Sequence, residues 1–272
     1  MKIRKPAFLI ALALCLVTAL FVPQAALTAE AASVVKISSA AGLTKALTDS
    51  KSATYKLTSD ISGIKKEIRV TGGTKTLDLN GHSIKGSSTS SSLIFVRGGD
   101  LTIKSSASGG MIRNTNNQDA AGCGSGRLTL ESGTLQGLVY GIYQEGGTVN
   151  IKGGTVKGIE NAVKTVKGTL NISGGSLKTT GTSGKSIYLS GTKKITAKLS
   201  GGKISGSSCV CQQGENSTLT VTGGTYTGSR QALSLYEGKC TVKGGTFTGN
   251  ESTAIDICPA TGKVVFSMTG GK

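Results

Sequence analysis

From about residue 100 the chain alternates apolar and polar positions in short blocks, and each block is broken by a Gly-Gly or Ser-Gly pair. The second glycine of the pair, or its equivalent, falls at Gly110, Gly133, Gly154, Gly175, Gly202, Gly224, Gly245 and Gly271. The spacings are 23, 21, 21, 27, 22, 21 and 26 residues, averaging 23. Around each pair, apolar residues stand two apart: Val149 and Ile151 before it and Val156 after it, then Leu219, Val221 and Tyr226, then Cys240, Val242 and Phe247. Alternation with period two predicts strands. A third run lies between these blocks, at Ile142, Val163, Ile187, Val210, Leu233 and Ile255, with Leu189, Leu235 and Ile257 two positions on.

Three strands per repeat therefore alternate with glycine-marked turns. No helix of ten residues fits between them, so a leucine-rich horseshoe fits poorly. The pattern predicts an all-β chain wound as a single-stranded parallel β-helix of about ten coils, three strands each, in which every strand pairs with its equivalent one coil away at ~4.8 Å. Glycine suits the corners because it reaches positive φ without steric cost.

Composition agrees. Among 272 residues, 41 are glycine without a three-residue period, which excludes collagen, and 37% hydrophobic content is too high for a disordered polymer. Only 4% are aromatic and none is Trp, so the core is left to Val, Ile and Leu, which favour strands.

The N-terminus changes the picture of where the protein works. Lys2, Arg4 and Lys5 precede an apolar run from Ala7 to Val22, and Ala29 and Ala31 stand three and one residues before a cleavage point, so residues 1–31 read as a secretory signal peptide. About 16 apolar residues fall short of the roughly 20 that cross a bilayer. Leu14 is too large for a lipoprotein site at Cys15. Removing three basic residues and Glu30 leaves 28 basic against 13 acidic side chains, a strongly cationic chain suited to wall polymers, acidic polysaccharides, lipid headgroups or released nucleic acid. The expected location is extracellular or cell-surface, with no membrane span in the mature chain and no specific nucleic-acid partner.

The segment Thr76-Leu77-Asp78-Leu79-Asn80-Gly81-His82-Ser83-Ile84, followed by Leu101-Thr102-Ile103-Lys104 and the Gly-Gly-Thr blocks, resembles secreted bacterial right-handed parallel β-helix proteins of the pectin-lyase-like class. The resemblance spans roughly residues 33 to 272 and rests on turn and core positions, so it speaks to fold far more than to activity. It implies one β-helix domain over 32–272 with an N-terminal cap over 33–61, where a short helix near Ala40 to Thr48 plugs the core with Leu43 and Leu47 on one face. The chain stops at Gly270-Gly271-Lys272, where a further strand is expected. We therefore read the helix as incomplete at that end, or covered there by another chain.

That class includes polysaccharide lyases and hydrolases. Hydrolysis needs two carboxyls across one bond, and the resemblance implies for lyases an acidic calcium cage beside a basic residue. The acids considered in the coils, Glu131, Glu145, Glu160, Glu237, Glu251 and Asp256, fall mostly on different coils or faces, and the signatures Asn-Thr-Asp, Gly-His-Gly and Arg-Ile-Lys are absent. His82 is the only histidine and reads as a turn residue. Gly122-Cys123-Gly124-Ser125-Gly126 lacks the strand and helix context of a phosphate loop. The outward threonines of Thr225-Tyr226-Thr227 and Thr246-Phe247-Thr248 do not persist as an ice-binding ladder. No catalytic residue, metal or cofactor is assigned.

Five cysteines remain after export, an odd number. Cys240 takes the slot of Val149, Leu170 and Leu219 and is expected buried. Cys209 and Cys211 flank inward Val210, so both are expected to be exposed thiols, and no His or third nearby Cys completes a metal site with them. The candidate functional surface is a ladder of Tyr143, Lys164 and Tyr188 on three consecutive coils, aromatic, cation, aromatic, suited to an acidic sugar. A second is Lys157 over Lys178 on another face, whose repulsion an anionic partner relieves, with Lys152 and Lys167 as neighbours. Against both stands the reading that lysines only solubilise the sheet. The chain is thus expected to be a non-catalytic scaffold binding or adhering to cell-wall or host-surface polysaccharide, anionic by preference. A lyase of acidic glycans is the rival, and a spacer within a longer surface protein is the third reading.

Overall fold

The computed structural model describes residues 34–259 and 262–272, so the expected signal peptide lies outside the described residues. The described residues wind as a right-handed parallel β-helix of about 11 turns; 59% of them are strand, and they include one helix. Each turn lays one strand on each of three faces. Face A carries, among others, Ser83–Gly86, Met111–Asn114, Thr134–Gln136, Thr155–Gly158 and Ser176–Thr179. Face B carries Ser92–Val96, Asp119–Cys123, Tyr140–Gln144, Asn161–Thr165 and Lys185–Leu189. Face C carries Asp100–Lys104, Arg127–Leu130, Thr148–Ile151, Gly168–Ile172 and Ile195–Leu199. In the later turns single strands run around a corner, as Lys203–Gln212 does from A to B and Ser217–Leu235 from C through A to B.

Pairing is parallel and in phase, so equal slots stack. On face B, Ala121, Ile142, Val163, Ile187, Val210, Leu233 and Ile255 stand in one register, all buried but the last. On face C, Leu128, Val149, Leu170, Ala197, Leu219 and Cys240 form another buried column. Each Val, Leu or Ile so enclosed contributes about 1.5–3 kcal/mol.

The glycines act in two distinct ways. At the corner from C to A, the second glycine of the doublet takes the left-handed region, as at Gly154 (φ 73°) and Gly175 (φ 82°). At the corner from A to B, Gly158 is needed for room, because a Cβ there would lie 1.9 Å from the carbonyl oxygen of Asn161.

A helix forms at the expected place, with Leu43 and Leu47 buried. Helix Ala40–Thr48 is capped by the Ser39 hydroxyl, which accepts from the Gly42 amide at 3.1 Å, and it buries Leu43, Ala46 and Leu47. Beneath it lies a substitution the repeat does not foretell: Lys75 occupies the column of Leu101 and Leu128 and is fully buried. Its ammonium donates to the Gly72 carbonyl and lies 3.9 Å from Oδ1 of Asp49, the helix C-cap residue. Burial pushes its pKa down and Asp49 opposes that. Lys75→Ala removes both the packed stem and the partner of Asp49 and is expected to cost about 2–4 kcal/mol. Lys75→Met keeps the volume and is expected to cost less than about 1.5 kcal/mol. Denaturant midpoints of the two variants compare them directly, and equal losses overturn the packing argument.

Two expectations need correction. Cys209 and Cys211 are both fully buried, not exposed. Cys209 lies in an inward column of small residues with Gly141, Ala162, Ser186 and Ala232, each standing one before the central apolar residue, and its thiol donates to the Ile204 carbonyl. Cys211 keeps the outward register, paired between Tyr188 and Ser234, yet neighbouring side chains cover it and burial raises its pKa to about 11. Cys240 is buried as expected, and Cys258 is exposed. Strand Val264–Gly270 pairs with only one described strand, Gly238–Gly249.

Candidate functional site

The outward column of face B runs Phe95, Gly122, Tyr143, Lys164, Tyr188, Cys211, Ser234, Asp256, one residue per coil. Tyr143, Lys164 and Tyr188 are therefore consecutive rungs, as the repeat predicts. The first gap in this column is filled sideways. Gly122 has no side chain, Phe95 lies over it and Gly124, and the Arg97 guanidinium covers that ring at 4.5 Å.

At Lys164 the surface opens into a cleft of about 380 Å³. Its working walls are Tyr140, Glu160, Lys164, Lys185 and Tyr188, closed on one side by the corner 181–184. The Lys164 ammonium donates to Tyr140 Oη at 3.1 Å, stands 5.0 Å from the centre of that ring and 5.8 Å from that of Tyr188. A second ammonium, Lys185, lies 4.8 Å from the Tyr188 ring. Tyr188 Oη donates to Gln213 Oε1 at 2.7 Å, which fixes the ring. Tyr143 is not a wall of the cleft; it stacks behind Tyr140 with ring centres 5.7 Å apart.

Burial acts to lower the pKa of Lys164, but the hydrogen bond to Tyr140 and the oxygens of Tyr140, Tyr143 and Tyr188 outweigh it, so the net shift is upward and the group is a firm ammonium at neutral pH. Burial pushes the phenols of Tyr143 and Tyr188 upward, so both stay neutral. Just before this column stands Asp119, 4% exposed, its Oδ1 accepting from the Tyr140 amide at 3.1 Å. Burial raises its pKa to about 7, against the opposing pull of that hydrogen bond and of Lys164 and with the added push of Glu160.

The five residues chosen from sequence divide between two faces. Tyr143, Lys164 and Tyr188 belong to B, whereas Lys157 and Lys178 pair directly on A. Lys152 is held by Glu131 at 3.3 Å, and Lys167 stands at the corner between B and C, so neither joins the A pair. Tyr140, Lys185 and Asp119 escaped sequence reasoning. The signal for the cleft was present in the 27-residue interval from Gly175 to Gly202. That coil reaches from Thr179 to Lys185 where its neighbour reaches from Gly158 to Asn161, and the surplus residues form the cleft wall. Among the described residues no group of three or more His, Cys, Asp or Glu side chains is placed to share a metal ion. Comparison of the chain with protein-family models, with curated proteins and with solved structures finds no match.

Proposed function

We propose that this chain is a secreted, non-catalytic β-helix scaffold that binds an acidic glycan of a cell wall or host surface in the face B cleft. The observation that carries the reading is the Lys164 ammonium set between the rings of Tyr140 and Tyr188 with Lys185 beside them. Aromatic faces pack against sugar rings, and two ammonium groups complement a carboxylate. Because the surroundings of Lys164 favour its protonated form, it is equipped to hold an anion and poorly equipped to abstract a proton. Export rests on the basic start, apolar run and small-residue cleavage pattern of residues 1–31.

Titration of the chain with uronic-acid oligosaccharides tests this. Tyr188→Ala and Lys164→Met are each expected to weaken binding about tenfold or more, near 1.4 kcal/mol. Unchanged affinity in both variants removes the cleft as the site.

One observation favours a lyase instead: Asp119, with its pKa near 7, lies against the backbone of Tyr140 beneath Lys164. Incubation with acidic polysaccharide distinguishes the two readings through the ultraviolet absorbance of an unsaturated product. Our reading expects none, and its appearance replaces binding by elimination.

A further inference from the structure

Face A carries a second feature, independent of the cleft. In its outward column Lys85, Arg113, Gln136, Lys157 and Lys178 stand on five consecutive coils, with Lys203 one column over beside Ser176. At ~4.8 Å per coil the row from Lys85 to Lys178 extends roughly 19 Å in a straight line along the axis. The A strands from Ser83 to Gly249 contain no aspartate or glutamate. Among the described residues none of these five cations takes part in an ion pair, in contrast to Arg69, Arg97, Arg127 and Lys152. The acid whose charge reaches Lys85 is Asp60, in the turn before the face begins. Within the row, the Nε of half-buried Arg113 is shielded from solvent and has no hydrogen-bond partner.

We propose that this row is the track for a linear phosphodiester polymer of the polyol-phosphate kind, lying along the helix axis. Three features select that chemistry. The charges repeat at every coil but one, which fits an extended polymer and not a compact ligand. The forked Arg113 and the point charges of lysine are both suited to phosphate oxygens. Finally, the face offers no ring to stack upon, since Tyr226 and Phe247 point inward and the remaining outward residues, such as Thr134, Thr155 and Ser176, are short hydroxyls. Sugar rings and nucleobases find their stacking partners elsewhere or not at all, whereas a ring-free backbone carrying its charge in the main chain lies flat here.

Binding of the full chain to synthetic poly(glycerol phosphate), measured across a salt series, tests the assignment. Affinity is expected to fall steeply with salt. The combined substitution Arg113→Gln, Lys157→Gln and Lys178→Gln is expected to weaken binding at least tenfold and to flatten the slope of log affinity against log salt by about two to three. Thermal unfolding confirms that the variant remains folded. Tyr188→Ala and Lys164→Met, which disable the cleft, leave this binding unchanged, so the two sites stand or fall separately. Retention of affinity by the triple variant, loss of it in the cleft variants, or, measured in the cleft variants, tighter binding of polygalacturonate or oligothymidylate than of poly(glycerol phosphate) overturns the proposal.

Discussion

Gly158→Ala is expected to destabilise the protein by about 4 kcal/mol or more, among the largest losses a single methyl group produces. The added Cβ would lie 1.9 Å from the Asn161 carbonyl oxygen and 2.9 Å from the Gly141 amide nitrogen. Both are backbone atoms, so relief requires reopening the corner and losing the phase of the strands on either side. Gly63→Ala is the control. Gly63 has a φ of 78°, yet nothing lies within 4 Å of an added Cβ, so the cost is limited to the left-handed strain of about 1–2 kcal/mol. Denaturant unfolding of both variants checks the contrast, and similar losses refute the claim that contact, not dihedral preference, dictates glycine at position 158.

Asp119→Asn is expected to stabilise the protein at alkaline pH and to change little at pH 5. The folded pKa of Asp119 is about 7, above the ordinary aspartate value near 4, because burial disfavours the carboxylate. The folded state therefore binds more protons than the unfolded state between those two values, and stability falls as pH rises through that window. At about 1.4 kcal/mol per pH unit, the full penalty above pH 7 is on the order of 4 kcal/mol. Asparagine keeps an oxygen for the Tyr140 amide and removes the penalty. Thermal midpoints from pH 5 to pH 9 are the measurement: the wild type declines across neutrality, the variant declines less, and parallel curves count against the assignment. The same titration acts on the cleft, where loss of the Asp119 charge leaves Glu160 as the remaining acid opposite Lys164 and Lys185.

The architecture was legible because in a parallel helix a repeat in sequence is a repeat in space. Val163 predicts Ile187, and Gly154 predicts Gly175, since both members of each pair perform the same task one coil apart. What misled was strict alternation near corners. Cys209 follows the tight turn from A to B, where the chain turns two successive side chains inward, and the small residues Ala162, Ser186 and Ala232 at the same slot are the sign of it. Cys211 obeys alternation and is nevertheless covered, because burial on an outer face depends on neighbours such as Tyr188 and Tyr236, whose sizes no periodicity encodes. Asp119 and Tyr140 stand outside the repeated apolar slots, so a search for columns of like residues passes over them.

The coil that builds the cleft is lengthened at two corners, 179–185 and 189–195, while Ile187 still meets Val163 below and Val210 above. Surplus chain is thus ejected sideways and never along the axis. Loop length on this scaffold is uncoupled from phase, so a peptide grafted between Thr182 and Ser183 is displayed laterally on a rigid stalk, and two such grafts are separated by whole multiples of the strand spacing, as marks are on a ruler.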